Sequence, residues 1–402
     1  MRSELKGQTQ QFNGVQVLRF AAAMLVVVMH ITQAISMHIR GTGPSQYWGA
    51  GSAGVDIFFV ISGFVMAMST ASIPGGGPAR STLLSAAWVF MRRRLVRIAP
   101  LYWFYTLLKV ALLLAMPALA ARSSVEPGHL AASLLFIPAT SPWGLVQPTL
   151  PVGWTLNFEM LFYAIFAAAI ALGAPRIRFC LAAFGLVFAA GYLLPDSVVL
   201  NFYAQTIVFE FILGVCIAHA FLHFRRPGPL AGLVMMAAGA VYMFAPDWGH
   251  SADRFATWGV GAALIVLGAV WMEPWTVRAP LTSRLSFLGD ASYSIYLSHT
   301  FVVPAGVQAL KRLGVQDSLA IALAVGLAVV VAGCLSYVWL EKPMTAFFKR
   351  LMFGAPRRPA VPVPSTSPAS SSVSSSVSAV SSVPAVSSVS PTNIPESNLH
   401  AK

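Results

Sequence analysis

Stretches of about 20 consecutive apolar residues recur along this chain, separated by short segments that carry most of its charge. At 1.5 Å per residue each stretch makes a helix that crosses about 30 Å of hydrocarbon. Ten such spans are expected, at roughly residues 15–37, 54–72, 98–117, 152–173, 177–195, 203–222, 229–245, 255–272, 286–308 and 318–340. A shorter apolar piece, 129–138, is bounded by prolines and is expected to lie in the interface or to dip in and return. The expected fold is therefore all-α, a polytopic membrane bundle of about ten transmembrane helices. Composition agrees: 57% of the 402 residues are hydrophobic and 10% are charged, against roughly 25% charged in an average soluble domain. That excludes an ordinary soluble enzyme, and it excludes disorder over most of the length.

The placement of charge gives the expected topology. With the N-terminus inside, 20 of the 26 Lys and Arg fall on inside segments and five on outside loops, while Lys109 remains in the third span. The positive-inside rule then puts both termini in the cytoplasm. The net charge of +13 does not point to nucleic acid, because no basic face interleaves with aromatics along a groove. The first span carries Arg19, runs past His30 and has no small-residue cleavage box, so it reads as an uncleaved helix. Cys180, Cys216 and Cys334 show neither CxxC nor Cys/His spacing and read as apolar filler. The expected layout is a cytoplasmic segment 1–14, a membrane domain 15–345, and a disordered Ser/Pro/Val-rich cytoplasmic tail 354–402. No connecting loop is long enough to hold a soluble domain.

A charged side chain in hydrocarbon costs on the order of 2.5–3.5 kcal/mol, so each needs a partner, water or a role. Such positions are few: Arg19, His30, Asp56, Lys109, Glu159, Glu210, His219, Asp290 and His299. Arg19 and His30 are eleven residues apart, which returns a helix to within about 20° of its starting face while separating them by about 16 Å. Spacing alone admits two readings: a snorkelling arginine plus a histidine bonded to a carbonyl, or a functional pair. Depth favours the second, because Glu159 in WTLNFEMLFY and His299 in YSIYLSHT are expected in the same outer half as His30. Thr155, Glu159 and Tyr163 share one polar stripe; Ser292, Tyr296 and His299 share another. Polar stripes serve as glue between helices, but an acid or histidine in each argues for a lined cavity. In GVDIFFVISGF, Asp56 either favours the positive end of its helix or meets substrate, as does Ser62. Gly63 allows a close helix approach. Arg94 and Arg97 in RRRLVRIAPLYW are neighbours on one face; topology accounts for them, and so does recognition of phosphate by guanidinium forks.

Six motifs in order, QVLRFAAAMLVVVMH, GVDIFFVISGF, RRRLVRIAPLYW, WTLNFEMLFY, LGDASYSIYLSH and YVWLEKP, resemble acyltransferase family 3 over residues 14–345. Members are multi-pass membrane enzymes that acylate sugars of bacterial surface glycans, and the opening and GDASYSIYLSHT look most like the exopolysaccharide acetyltransferase branch. The resemblance implies that Arg19, His30 and Glu159 are catalytic and that Arg94 and Arg97 bind the acyl donor, acetyl-CoA, with no metal required. Asp56, Ser62, Tyr163, Tyr296 and His299 stand as candidate substrate contacts. The family pattern often has Ser where Thr155 stands and a second acid where Met160 stands, so no second carboxylate is available there. His30 then acts as general base on a sugar hydroxyl with Glu159 orienting it, or carries the acetyl group itself. The expected partners are the lipid bilayer of the bacterial inner membrane, a glycan acceptor that is free or lipid-linked, and exopolysaccharide biosynthesis proteins. The competing class is a proton-coupled transporter or polysaccharide exporter, which would show repeat symmetry between halves; no repeat is visible.

Overall fold

A computed structural model describes residues 12–43, 47–73, 80–116, 125–225, 227–244, 253–277 and 279–354. These belong to a unit that ends at Ala355. Most of the expected N-terminal segment and almost all of the expected tail, from residue 355 on, lie outside the described residues, as do Arg122, Arg226 and Arg278.

The apolar stretches become helices because in hydrocarbon every backbone N–H and C=O must find its partner within the segment. In chain order they are α1 (Asn13–Ile35), α2 (Ala53–Ser69), α3 (Arg80–Ala115), α4 (Pro127–Leu134), α5 (Trp154–Ala171), α6 (Arg176–Leu193) and α7 (Val198–Tyr203). They continue with α8 (Phe209–His223), α9 (Pro229–Phe244), α10 (Val260–Thr276), α11 (Pro280–Asp290), α12 (Ser292–Arg312), α13 (Ser318–Ser336) and α14 (Lys342–Phe353). Among the described residues there is no strand, only a bridge between Thr140 and Val146. Local signals set the ends. Pro127 and Pro280 open α4 and α11, where the missing N–H is no loss. The Asp317 side chain accepts the Ala320 N–H at 2.6 Å and starts α13. Gly173 (φ 61°) and Gly314 (φ 78°) follow α5 and α12 in the left-handed conformation that lets a helix stop.

Among the described residues eight helical segments are long and apolar enough to cross a membrane, so this is a multi-pass membrane protein. The seventh expected span, α9, has only 16 residues. The ninth differs more: residues 286–308 are not one helix but the end of α11 and most of α12, broken at Ala291. The break has a packing cause. A Cβ on Gly289 would lie 2.1 Å from the Gln16 carbonyl, so α11 seats directly on the α1 backbone. The third expected span also changes: α3 begins at Arg80 rather than at residue 98 and runs for 36 residues, about 54 Å. Its first half overshoots the hydrocarbon and packs beside α14, with the Arg92 guanidinium 4.7 Å from the Phe353 ring.

Contacts at helix ends establish the directions. Glu273, near the end of α10, accepts from the backbone N–H groups of Asn13 (2.7 Å) and Gly14 (3.1 Å). Gln16 donates to Asp290 at 2.7 Å, and Lys311 to the His38 carbonyl at 2.7 Å. Hence α1 and α12 run in parallel from a near face, where α1 starts, to a far face. α2 and α8 touch backbone to backbone, since a Cβ on Gly63 would come within 2.0 Å of the Phe211 carbonyl. That is the close approach expected of Gly63. Around it Phe59, Phe162 and Phe211 stack at 4.3–4.6 Å, joining α2, α5 and α8 into one core.

Candidate active site

α1, α3, α5 and α12 carry the polar groups, and they turn them toward one another. In the far half, the rings of His30 and His299 stack at 4.9 Å between centroids with 15° between their planes. His299 is completely buried, with the backbone of Ile295 and Tyr296 as its polar neighbours, whereas His30 keeps some accessible surface. Tyr296 lies 5.7 Å from the His299 ring. Its hydroxyl donates to the Val152 carbonyl at 2.9 Å and lies 3.1 Å from the Thr155 hydroxyl. The polar stripe of α5 thus meets the polar stripe of α12 at Thr155 and Tyr296.

One turn along α5, Glu159 accepts from Ser62 at 3.0 Å and from Tyr163 through a short hydrogen bond. These are its partners, and no hydrogen bond links it to either imidazole. The Thr155–Tyr296 contact puts Tyr296 level with Thr155, so three residues up α12 to His299 and four down α5 to Glu159 give roughly 10 Å along the bundle axis. The expectation of a single layer holding His30, Glu159 and His299 is therefore corrected. The imidazoles form an upper layer and the carboxylate belongs to a lower one, so Glu159 does not orient His30 directly.

The lower layer gathers the guanidinium groups. Arg19 shares its electrostatic surroundings with Arg97, Glu341, Asp290 and Glu159, and Arg94 shares its own with Tyr163, Arg97 and Glu159. Arg19 also donates to Gln16 at 3.1 Å. Three cations here face three carboxylates, Glu159, Asp290 and Glu341. Among the described residues, however, only Arg254 and Asp56 approach to ion-pair distance. The charges of the lower layer therefore act across gaps, which in an apolar bundle are satisfied by water or a polar ligand. Exposure agrees: Arg19, Arg94, Arg97 and Glu159 each retain partial accessibility although protein surrounds Arg19 and Arg94 closely.

At the near face this layer opens into a cavity of about 580 Å³ whose lining includes Ser69, Thr70, Ser81, Thr82, Ser85, Arg93 and Arg94. Arg94 donates to the Ser69 hydroxyl at 2.8 Å, while its buried Nε has no partner. Two guanidinium groups and several hydroxyls suit a phosphate-bearing ligand. The expected partnership of Arg94 with Arg97 is revised here. Arg97 is absent from this lining and faces Arg19 and Glu341, so Arg93 is the neighbour that completes the cavity. Among the described residues no group of three or more His, Cys, Asp or Glu is disposed to hold a metal ion.

One family model, an acyltransferase domain, matches residues 12–339. The chain belongs to acyltransferase family 3. Two curated proteins are similar to this acyltransferase. The exopolysaccharide production protein ExoZ of Rhizobium meliloti (strain 1021) is 36% identical over 304 residues, covering 74% of this chain and 91% of that protein. The acyltransferase MdmB of Streptomyces mycarofaciens is 27% identical over 388 residues, covering 86% and 93%. No solved structure gives a significant match.

Within this acyltransferase the sequence expectations fare unevenly in space. Arg19, His30, Ser62, Arg94, Arg97, Glu159, Tyr163, Tyr296 and His299 come together along one interior column. Asp56 does not. It is fully buried and both its oxygens are taken by Arg254, at 2.9 Å from Nε and 2.7 Å from Nη2, so the expected substrate contact is replaced by an ion pair. Arg254 further donates to the Ser52 carbonyl at 3.0 Å and stands 4.9 Å from the Trp258 ring. Sequence reasoning overlooked Glu341, which is buried and accepts from Ser294 at 2.7 Å. Its signal was the single acid of YVWLEKP at the end of a long apolar run. The Gln16–Asp290 bond was also overlooked, and no local pattern announces it.

Proposed function

We propose that this enzyme transfers an acetyl group from acetyl-CoA to a sugar hydroxyl of an exopolysaccharide or related surface glycan, in the bacterial inner membrane with both termini cytoplasmic. The observation that carries the reading is the column itself: a phosphate-compatible cavity at the near face, a layer of spaced guanidinium and carboxylate groups above it, and a stacked imidazole pair at its head. In the proposed orientation the near face is cytoplasmic, where acetyl-CoA is found. Arg93 and Arg94 hold the donor phosphates, and the acyl-bearing arm runs along the column toward His30. The name of ExoZ supports an exopolysaccharide acceptor.

In the proposed reaction the neutral His30 ring takes the proton of the acceptor hydroxyl as its oxygen attacks the thioester carbonyl. The carbon–sulfur bond breaks, the acetyl group leaves as an ester on the sugar, and the proton on His30 passes to the departing thiolate. His299 sets the plane of the His30 ring by stacking on it. Arg19 and Arg97, balanced by Glu159 and Glu341 in the layer below, hold the acyl-bearing arm in register so that its carbonyl reaches His30.

The test uses purified full-length protein in lipid nanodiscs with acetyl-CoA labelled in its acetyl group and a de-O-acetylated surface glycan. Transfer of label to the glycan that is lost in His30→Ala supports the reading. Absence of transfer by the wild type, or full transfer by His30→Ala, overturns it. Label retained covalently on His30 in the absence of acceptor would replace the general-base step by an acyl-imidazole step.

A further inference from the structure

The far face holds a second cavity, of about 510 Å³, between the loop preceding α5, the start of α5 and the α6–α7 corner. We infer that it binds a neutral sugar unit of the acceptor glycan, next to the unit that is acylated. The inference rests on the proposed glycan acceptor and adds the place where that acceptor is held.

Three features of the lining point to a sugar. The first is a fixed aromatic wall. Trp154 is partly exposed and packs edge-on against Phe158 at 5.9 Å, and Phe158 stacks on Phe202 at 4.7 Å. Trp154 and Phe202 both line the cavity, so an apolar sugar face meets rings held by the core. The second is a set of side-chain amides. Asn201 and Gln205 are exposed, and each uses its amide nitrogen on a backbone carbonyl, Pro195 at 3.3 Å and Phe202 at 2.8 Å. This orients each group while its remaining donor and its oxygen stay open to hydroxyls. Gln147 also lines the cavity, and its backbone carbonyl is tied to His129 at 2.8 Å, which steadies that loop.

The third feature is charge. The lining contains Asp196, exposed and outside any ion pair among the described residues, and no lysine or arginine. A carboxylate without a cation repels phosphate, which excludes the donor nucleotide and anionic lipid headgroups, and it accepts readily from hydroxyl groups. The size falls in the range of small-ligand sites, roughly 300–1,000 Å³. The position is also apt. Trp154 is followed by Thr155, which meets Tyr296, and the Tyr296 ring stands beside His299. A glycan seated against Trp154 is thus one residue from the chain of contacts that ends at the imidazole pair.

The test measures initial rates with the full-length protein in nanodiscs, saturating acetyl-CoA and varied de-O-acetylated oligosaccharides from the producing bacterium's exopolysaccharide. Asn201→Ala and Gln205→Ala, at exposed positions, are each expected to raise the acceptor KM by about 3- to 10-fold, the cost of one hydrogen bond, with kcat and the acetyl-CoA KM near wild type. Trp154→Ala is expected to raise it further and Trp154→Phe to restore most of the loss. A monosaccharide acceptor, too short to fill both positions, should show no difference between wild type and variants. Unchanged acceptor KM in Asn201→Ala and Gln205→Ala, or a fall in kcat alone, overturns the inference while leaving the enzymatic reading in place. Failure of wild-type protein to acylate any oligosaccharide overturns both.

Discussion

The imidazoles of His30 and His299 lie face to face, 4.9 Å apart, on two helices that run in parallel. Only the first keeps accessible surface; the second is sealed behind it. This asymmetry separates two roles that the sequence could not separate.

For His30→Ala the expected loss of transfer is about 10²- to 10⁴-fold, the usual worth of general base catalysis, with normal amounts of protein in the membrane. His299→Phe should insert and accumulate normally, because a ring of similar size still stacks on His30, and should retain measurably more activity than His30→Ala. Equal losses in quantitative acetyl-transfer assays would put both imidazoles in contact with the reacting atoms.

Arg94 and Arg97 share the lower layer, but only Arg94 also lines the near-face cavity, and kinetics should tell them apart. Arg93→Ala with Arg94→Ala is expected to raise the acetyl-CoA KM by about 10- to 100-fold, as for lost charge-assisted hydrogen bonds, with a modest effect on kcat. Arg97→Ala should chiefly lower kcat. The same KM-dominated change in all variants would restore Arg97 to the donor site.

Glu159→Gln keeps an oxygen for Ser62 and Tyr163 but removes a negative charge from among Arg19, Arg94 and Arg97. Transfer is expected to fall by about tenfold or more, because unbalanced repulsion among the guanidinium groups shifts the acyl-bearing arm relative to His30, while membrane levels persist. If Glu159 instead only fastened α5 to α2, Glu159→Gln would leave kcat intact, and steady-state kinetics decides this.

Asp56→Ala removes the carboxylate that holds the Arg254 guanidinium at hydrogen-bond distance near the far face, leaving Glu210 as its remaining acidic neighbour. Removing one partner of a fully buried pair typically costs about 3–5 kcal/mol; Arg254 is partly exposed, so the loss should be smaller, and the purified variant should unfold at a lower temperature than wild type. Asp56→Leu combined with Arg254→Met should recover most of the loss. A thermal midpoint unchanged in Asp56→Ala would show that the pair contributes nothing to stability.

The class of fold is legible in the residue order alone, because apolar runs of bilayer length have no other stable form than helices when water is excluded. That order also determined that Arg19 and His30 share a face, since helical pitch is a local property, and the ordered motifs carried the family. Local chemistry also sets boundaries at Pro127, Pro280 and Asp317, which counting apolar run lengths passes over. Which polar faces meet is settled by packing between helices. The stacking of His30 on His299, the claim of Arg254 on Asp56 and the bond from Gln16 to Asp290 join residues 198 to 274 positions apart, and no periodicity encodes such partners. Depth was likewise tertiary: Glu159 and the imidazoles occupy separate layers because α5 meets α12 at Thr155 and Tyr296, a register fixed by packing between helices rather than by the position of a residue within its own apolar run.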